Sequence, residues 1–505
     1  MKDARQVHLA REAGEVRAPS APDEGPAPLV PSSPGASRRA WRLSNGTPRR
    51  HAGDVHWLLH HGLLVAGVAL VLLILVGLAL HVPGADSVGS DRLTAEFVAV
   101  LGVAGIVYLC AVALVLRRPS RVPVSIVLLV ALAMRIPPLL APPFLSSDMY
   151  RYIWDGRVQT AGVNPYRYLP ADPALQSLHD SAIFPHINRA ATARTIYPPM
   201  AQLMFWAVVS VSGSVYAMKL AMIGFEALAC WAVLRLLVLT RRPPQRVLIY
   251  AWNPLAAWAF AGNGHVDAIA IGLLAGAFWL RAGRRDGWTG VALGAAVLVK
   301  YLPAAVAPAL WQRERPWRTM LAALGVIAGL YVCYLGAGRH VLGFLPGYFG
   351  EEDLTQGSGI WLLAGVGLVV PPTPLLVRLY AAVAVLGLAA LALRIVFRAR
   401  PKDPAADVRR VCADAAVLAA AITIASSPHY PWYFVWLALP CCVSARASII
   451  WLGVAPLLLY LDPWHERFFW PCLVYGPAIA LAIGECWRPT PRGALDVTSA
   501  SRGTL

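Results

Sequence analysis

The chain carries few charged residues, and acidic residues are the scarcest of them. Only 14% of its 505 residues are charged, whereas 58% are hydrophobic. Soluble globular domains carry about 25% charged residues, so this composition excludes a soluble globular protein. The 44 Lys and Arg outnumber the 27 Asp and Glu, which gives a formal net charge of +17. The composition is that of a basic integral membrane protein.

The chain also lacks the common patterns of disulfide, metal and nucleic-acid sites. Its eight cysteines form no C-x-x-C pair and fall in or at the edges of apolar segments. This placement favours small buried hydrophobic residues over a disulfide framework or a zinc site. The basic residues form short clusters between apolar segments, without the basic stripe on a soluble fold that nucleic acid requires. We therefore predict contact with membrane lipids and none with nucleic acid.

Long apolar segments dominate the chain from residue 63 to residue 485. Residues 63–80 contain no charge, and their length is about that needed for one helix to cross the hydrocarbon core. Lipid offers no partner to a backbone amide or carbonyl, so such segments must be helical. The sequence predicts an all-α polytopic integral membrane protein with about 11 to 14 transmembrane helices.

The distribution of proline and arginine divides the chain into three parts. Residues 1–55 are rich in Pro, Ala, Ser and Arg and are predicted to form a disordered cytoplasmic tail. Residues 56–487 form the membrane domain, and residues 488–505 form a second cytoplasmic tail. Because basic residues favour the cytoplasmic side, the first large loop, residues 142–199, is predicted to be extracytoplasmic and to carry interfacial helices. The expected location is the plasma (inner) membrane.

The first large loop contains the stretch SSDMYRYIWDGRVQTAGVNPY, residues 146–166. At about 100° per residue, Asp148, Arg151, Tyr152 and Asp155 fall within one arc of a helix. Most of the remaining positions are apolar, which predicts an amphipathic helix in the membrane interface with its carboxylates turned away from lipid. An ordinary interfacial helix with surface ion pairs is the alternative.

Cationic donors and prolines follow this helix before the chain re-enters the membrane. Such a loop suits a site that holds a phosphate at headgroup depth and deprotonates a hydroxyl. Asp148 is the predicted general base, and Asp155 is its substitute. Arg151, Arg157 and Arg194 are predicted contacts of phosphate or sugar, with lipid headgroup anchoring as the alternative. Tyr152 and its aromatic neighbours are predicted either to stack on sugar or to belong to an interfacial belt.

Three later segments contribute further candidates. Lys300 lies in an apolar segment and needs a counter-charge, which a bound lipid phosphate or a carboxylate such as Glu226 could supply. His265 and Asp267 lie in the glycine-rich turn GNGHVD, and His429 lies in SSPHYPWY. We predict sugar hydroxyl contacts for these three, with loop packing as the alternative. Their spacing matches no zinc pattern, so no metal site is predicted.

Several motifs together resemble a known enzyme group. SSDMYRYIWDGRVQTAGVNPYRY, TIYPPMAQ, NPL, GNGHVD, VLVKYLP and SSPHYPWY are similar to motifs of bacterial polyprenyl-phosphate-sugar-dependent glycosyltransferases of the GT-C superfamily, in the α-mannosyltransferase-like branch. The resemblance spans roughly residues 57–486. It implies an inverting transferase that moves a hexose, foremost mannose, from a polyprenyl-phosphate donor to a cell-envelope glycan or lipid. It also places Asp148 at the position of the general base.

The resemblance bears on cofactors as well. Many relatives carry two adjacent acids, where this chain has Ser146 and Ser147 before Asp148. This difference weakens the case for a divalent metal, and no cofactor is predicted. A lipid-linked sugar transporter or flippase, and an O-antigen-ligase-like transferase, are the alternative functions. A transporter is expected to show repeated halves and polar groups near the midplane, and no internal repeat is evident.

Overall fold

The computed structural model describes residues 50–80, 91–117, 122–311, 315–351, 354–371, 373–461 and 468–487. Within these ranges all regular secondary structure is helical, which confirms the all-α prediction. Residues from Ala52 onward form one unit, which carries every feature discussed below. The two predicted tails lie outside the described residues, except that residues 50–55 already belong to the first helix.

Twenty α-helices follow one another along the described chain. They are α1 (Arg50–Ala79), α2 (Asp91–Arg117), α3 (Val124–Ala133), α4 (Ile136–Leu140), α5 (Asp148–Thr160), α6 (Pro199–Val211), α7 (Val215–Leu239), α8 (Leu248–Ala251), α9 (Pro254–Ala256), α10 (Asp267–Ala282), α11 (Asp286–Val297), α12 (Ala307–Leu310), α13 (Pro316–Val332), α14 (Leu345–Glu351), α15 (Trp361–Gly367), α16 (Pro374–Phe397), α17 (Pro404–Ser426), α18 (Ala438–Cys441), α19 (Ala447–Leu452) and α20 (Phe469–Trp487). Short 3₁₀ segments and one π-helical turn, Ala257–Gly262, connect several of them.

Five of the described helices are long and apolar enough to cross a membrane, and up to seven spans result if each of two bent pairs counts as one. The five are His61–Ala79, Arg92–Arg117, Val215–Leu239, Pro374–Phe397 and Phe469–Trp487. The bent pairs are Pro254–Gly262 with Asp267–Ala282, at 117°, and Pro316–Val332 with Leu335–Gly350, at 88°. The chain is thus a helical membrane protein, whereas the predicted 11 to 14 crossings stay a prediction.

The apolar segment at residues 122–145 is broken near its middle. Helix α3 ends at Ala133, and α4 begins after Arg135. Arg135 donates two hydrogen bonds to Glu226 of α7, at 3.0 and 2.6 Å, and a third to the backbone carbonyl of Ala251 at 2.8 Å. Both charged side chains are buried, so this pair joins the break to the span α7.

Glu226→Ala is expected to destabilise the protein strongly. The substitution leaves the buried Arg135 without its carboxylate, which costs about 3–5 kcal/mol at comparable sites. The double variant Arg135→Met with Glu226→Met removes both charges and should recover most of the loss. Thermal unfolding of both variants in the same detergent measures the difference. Equal midpoints for wild type and Glu226→Ala would contradict a stabilising role for the pair.

Two contacts position the segment that leads from α4 to α5. Lys219 of α7, whose side chain is fully buried, donates to the carbonyls of Pro138 and Ala141 at 3.1 and 2.5 Å. The amide of Phe144 donates to the side-chain oxygen of Asn263 at 2.8 Å. The segment before Asp148 is therefore tied both to a membrane span and to the GNGHVD turn. No role for Lys219 was predicted from the sequence.

The cysteines only partly follow the prediction that they are buried. Cys412, Cys441 and Cys442 are buried, but three others are exposed on the surface of the described protein: Cys110, Cys333 and Cys486. Two of these three lie on α2 and α20, which are candidate spans. A small apolar residue is tolerated at a lipid-facing position, so hydrophobicity alone does not predict burial in protein.

Candidate active site

Helix α5 is buried on both faces, so the prediction that its apolar face contacts lipid is wrong, whereas its position at the membrane interface stays a prediction. Met149, Ile153 and Trp154, predicted to face lipid, are at most 1% exposed. Helix α6 lies so close that a Cβ added at Gly156 would stand 2.6 Å from the carbonyl oxygen of Phe205. The apolar face of α5 therefore packs against other parts of the protein, and the helix belongs to the protein core.

The polar residues predicted to share one arc of α5 have different partners in the structure. Arg151 donates to Asp155 at 2.9 Å, and Gln202 of α6 donates to the other carboxylate oxygen at 2.9 Å. Gln202 also donates to Thr195 at 2.7 Å. Asp155 is 1% exposed, with both oxygens bonded. Asp155 and Arg151 therefore help to fasten α5 to α6, and neither of them lines the cavity of about 1830 Å³ that contains Asp148.

Three other candidate residues support loops instead of facing a common site. Arg157 forms an ion pair with Asp180 at 2.7 Å, within the large loop. Arg194 donates to a backbone carbonyl of the same loop at 3.3 Å. His429 is 3% exposed and contacts the carbonyl of Gly359 through Nε2 at 3.0 Å. For His429 the structure therefore agrees with loop packing, the alternative considered from the sequence.

Asp148, Tyr152 and Lys300 line one large cavity of about 1830 Å³. Its polar end also contains Asn188 and Arg189, which follow α5 in the large loop. Tyrosines from distant segments form much of the surrounding wall: Tyr152, Tyr197, Tyr301, Tyr348, Tyr430 and Tyr433. Such a wall presents both ring faces and hydroxyl groups to a ligand.

The same cavity continues into an apolar groove. Its lining comes from α2, α16 and α17: Val98, Ala99, Gly102, Leu388, Ala389, Ala392, Leu418 and Ile422. Helices α2 and α16 are candidate spans, so the groove is bounded by helices that are long and apolar enough to cross a membrane. The cavity thus joins a polar end to a long apolar extension.

Asp148 begins α5 at the polar end of the cavity. Asn188 donates to its Oδ1 at 3.4 Å, and His265 Nδ1 lies 3.7 Å from its Oδ2. The carboxylate is 26% exposed. Burial raises the pKa of Asp148, while the charge of Lys300 and the hydrogen bond from Asn188 oppose the rise. A carboxylate with a raised pKa is a stronger base than a surface aspartate.

His265 stands behind Asp148 as a fully buried ring. It stacks on Trp432 with centroids 3.7 Å apart. Neither ring nitrogen has a hydrogen-bond partner among the described residues. Gly264, at φ +64°, precedes it, and a Cβ there would lie 2.7 Å from Met149 Sδ. The GNGHVD turn therefore packs directly against α5, which brings His265 to Asp148.

Lys300 lies in the break between α11 and the 3₁₀ segment Leu302–Val306. Its Nζ lies 2.7 and 2.9 Å from the two carboxylate oxygens of Asp267, so Asp267 and not Glu226 is its carboxylate partner. The same ammonium stands 3.4 Å from the centre of the Tyr433 ring. An ammonium has three N–H donors, and Asp267 accepts from two of them. A third can point toward a ligand in the cavity.

The described residues include no group of three or more His, Cys, Asp or Glu side chains able to hold a metal ion. Near the polar end of the cavity, both carboxylate oxygens of Asp267 accept hydrogen bonds from Lys300.

Most of the tyrosines that line the cavity were not predicted from the sequence as site residues. Tyr197 and Tyr301 belong to the motifs TIYPPM and VLVKYLP, but the motifs gave no role for them. Tyr348 lies on α14, outside every quoted motif, and its hydroxyl lies 2.9 Å from that of Tyr433. Two hydrogen bonds bring TIYPPM close to Lys300: the amides of Met200 and Ala201 donate to the Leu298 carbonyl at 3.0 and 3.2 Å.

Comparison with protein families gives one match. Residues 83–313 match the family model described as "Alpha-(1->6)-mannopyranosyltransferase, N-terminal domain". Searches of curated proteins and of solved structures gave no match. The matched residues include Asp148, His265, Asp267 and Lys300, whereas α16, α17 and Tyr433 come from the remainder of the chain.

Proposed function

We propose that the chain is a membrane glycosyltransferase that transfers a hexose from a polyprenyl-phosphate donor, and the match of residues 83–313 to the N-terminal domain of the alpha-(1->6)-mannopyranosyltransferase family supports this proposal. Mannose is the first candidate sugar, and the acceptor is a glycan or lipid of the cell envelope. One observation carries the proposal: the cavity joins a base and a cation at its polar end to an apolar groove between α2, α16 and α17.

The dimensions of the cavity support a lipid-linked donor. Sites for small ligands commonly enclose about 300–1,000 Å³. The observed volume of about 1830 Å³ leaves room for a sugar phosphate, an acceptor and part of a polyprenyl chain. The polyprenyl chain occupies the apolar groove, while Lys300 and Arg189 contact the phosphate. Charge-assisted hydrogen bonds from such cations are the strong ones, so they orient the donor.

The proposed reaction is a single displacement with inversion. The acceptor oxygen attacks the anomeric carbon of the donor as Asp148 accepts the hydroxyl proton. The bond from the anomeric carbon to the phosphate oxygen breaks, and polyprenyl phosphate leaves with the bonding electrons. Lys300 stabilises the negative charge that develops on the leaving phosphate. Asn188 holds the Asp148 carboxylate toward the acceptor through its hydrogen bond, and the His265 ring packs behind that carboxylate.

The cavity is proposed to open on the extracytoplasmic face of the plasma (inner) membrane. It lies at the amino-terminal end of α2, whereas Arg117 closes the other end of that span. Arg242 and Arg246 follow α7 at the same end as Arg117. Arginines concentrate on the cytoplasmic side of membrane proteins, which supports this orientation. We retain 11 to 14 crossings as part of the proposal.

The test uses the full chain in nanodiscs with radiolabelled polyprenyl-phosphate mannose and an extract of envelope lipids and glycans. Label is expected to move to a new product in the presence of the wild-type protein. Polyprenyl-phosphate glucose and arabinose serve as competing donors to identify the sugar. Transfer from a nucleotide sugar in the absence of any polyprenyl phosphate would overturn the donor assignment. Lipid translocation without transfer would favour a transporter.

The pH dependence of transfer should reflect the environment of Asp148. Because burial raises its pKa, the base form is lost as pH falls through a value above the usual aspartate pKa of about 3.9. We expect kcat/KM to rise with pH through that value. Asn188→Ala removes a hydrogen bond that lowers this pKa, so the acid limb should move to higher pH. An unmoved limb in this variant would contradict titration of Asp148.

A further inference from the structure

A second cavity lies at the opposite end of α2 from the proposed active site. Its volume is about 690 Å³, and its wall includes Arg117, Arg242, Arg246 and Arg446. The first cavity touches α2 between Arg92 and Gly102, and the second touches it between Val115 and Arg117. The helix rises about 20 Å between the nearest of these residues and about 38 Å between the farthest. This range includes the roughly 30 Å thickness of a hydrocarbon core, so the two cavities lie toward opposite ends of a candidate span.

Few carboxylates neutralise the positive charge of the arginines in this second cavity. Glu485 is the only carboxylate in its described lining. Its oxygens accept hydrogen bonds from the amide and hydroxyl of Ser448, at 3.2 and 2.9 Å, and lie 3.7 Å from Arg446. Among the described residues, no carboxylate lies within 4 Å of the other three arginines. The cavity therefore holds an excess of positive charge.

Arg246 is the residue that indicates a ligand. Its side chain is buried, with 7% of the residue exposed, and its Nε has no hydrogen-bond partner among the described residues. Burial and the nearby charge of Arg242 lower the pKa of Arg246 to about 10. A buried guanidinium donor without an acceptor is costly, since buried charges are normally paired and hydrogen-bonded. An anion in the cavity would place a compensating negative charge beside this guanidinium and offset part of that cost.

We propose that this arginine cavity binds a phosphate-bearing anion, such as the headgroup of an anionic lipid. A guanidinium matches the geometry of phosphate oxygens and remains charged at any physiological pH. Apolar residues from α2, from the segment before α19 and from the start of α19 stand beside the arginines: Val115, Leu116, Val443, Ala445 and Ala447. They provide contacts for the acyl chains of a lipid, which free phosphate does not need. The proposal does not depend on the donor or on the base of the proposed function.

The test measures retention of lipid by purified full-length protein with native mass spectrometry. The probes are phosphatidylglycerol, which is anionic, and phosphatidylcholine, which is neutral overall. Wild type is expected to retain phosphatidylglycerol about tenfold better, a difference of about 1.4 kcal/mol. Arg242→Gln and Arg246→Gln should each abolish most of this preference. Arg241→Gln is the matched control, because Arg241 is exposed, adjacent in sequence and absent from the cavity wall.

A second measurement distinguishes a lipid headgroup from free phosphate. Inorganic phosphate is titrated into the same proteins while thermal unfolding is followed. A saturable rise of the midpoint in wild type, absent in Arg242→Gln, together with no lipid preference, would assign the site to a soluble phosphate compound. If Arg246→Gln fails to fold, Arg242→Gln decides the result, because Arg242 is exposed. Equal behaviour of wild type and Arg242→Gln with both probes would overturn the proposal.

Discussion

Asp148→Asn is expected to lower the rate of transfer by about 10²- to 10⁴-fold, which is the range that general-base catalysis contributes. The amide keeps the size of the side chain and can still accept from Asn188, but it cannot take the acceptor's proton. Expression, membrane insertion and thermal unfolding should stay close to wild type. The rate is measured as label transferred from the polyprenyl-phosphate donor at saturating donor concentration.

Two matched variants make this result specific. Asp172→Asn changes an acid that caps the 3₁₀ segment Pro173–Leu178 and lies outside the cavity wall, so its turnover should remain near wild type. Asp155→Asn weakens the contacts between α5 and α6 and should lower thermal stability. If Asp148→Asn kept normal rates while a folded Asp155→Asn lost them, Asp155 would be the base.

Lys300→Gln is expected to reduce transfer by about 10²- to 10³-fold, comparable to the loss of one donor that stabilises charge in a transition state. The variant removes the cation that faces the leaving phosphate. It also leaves Asp267 as a buried, unpaired carboxylate, which by analogy with broken buried pairs costs about 3–5 kcal/mol. Turnover and the thermal midpoint should therefore both fall.

The double variant Lys300→Gln with Asp267→Asn separates these two effects. It removes both charges, so the thermal midpoint should return toward that of wild type. Turnover should remain low, because the phosphate still lacks its cation. Recovery of turnover together with stability would show that Lys300 only neutralises Asp267, and the role in leaving-group stabilisation would then be withdrawn.

Local pattern predicted the existence and helical character of most elements well. All but the last residue of the uncharged stretch at residues 63–80 belongs to α1. Apolar length forces helix formation in lipid whatever the neighbouring segments are, so these features follow from sequence alone. The motifs likewise pointed to a mannosyltransferase family, which the match to residues 83–313 confirms.

The partner of each charged side chain was decided only by tertiary packing. A pattern of period 3.6 reports that one face of α5 is apolar, but not whether lipid or α6 covers that face. Asp148 and Asp155 share an arc in sequence, yet only Asp148 lines the cavity, because Gln202 and Arg151 occupy Asp155.

The sequence by itself indicated an α-helical membrane protein whose motifs resemble those of glycosyltransferases, because composition, apolar length and local motifs are properties of contiguous residues. The tertiary structure decided that Lys300 meets Asp267, that His265 stands behind Asp148 and that α16 extends the cavity into an apolar groove. These contacts join helices and loops that are distant in sequence. Their geometry depends on how whole helices pack, which no local period encodes.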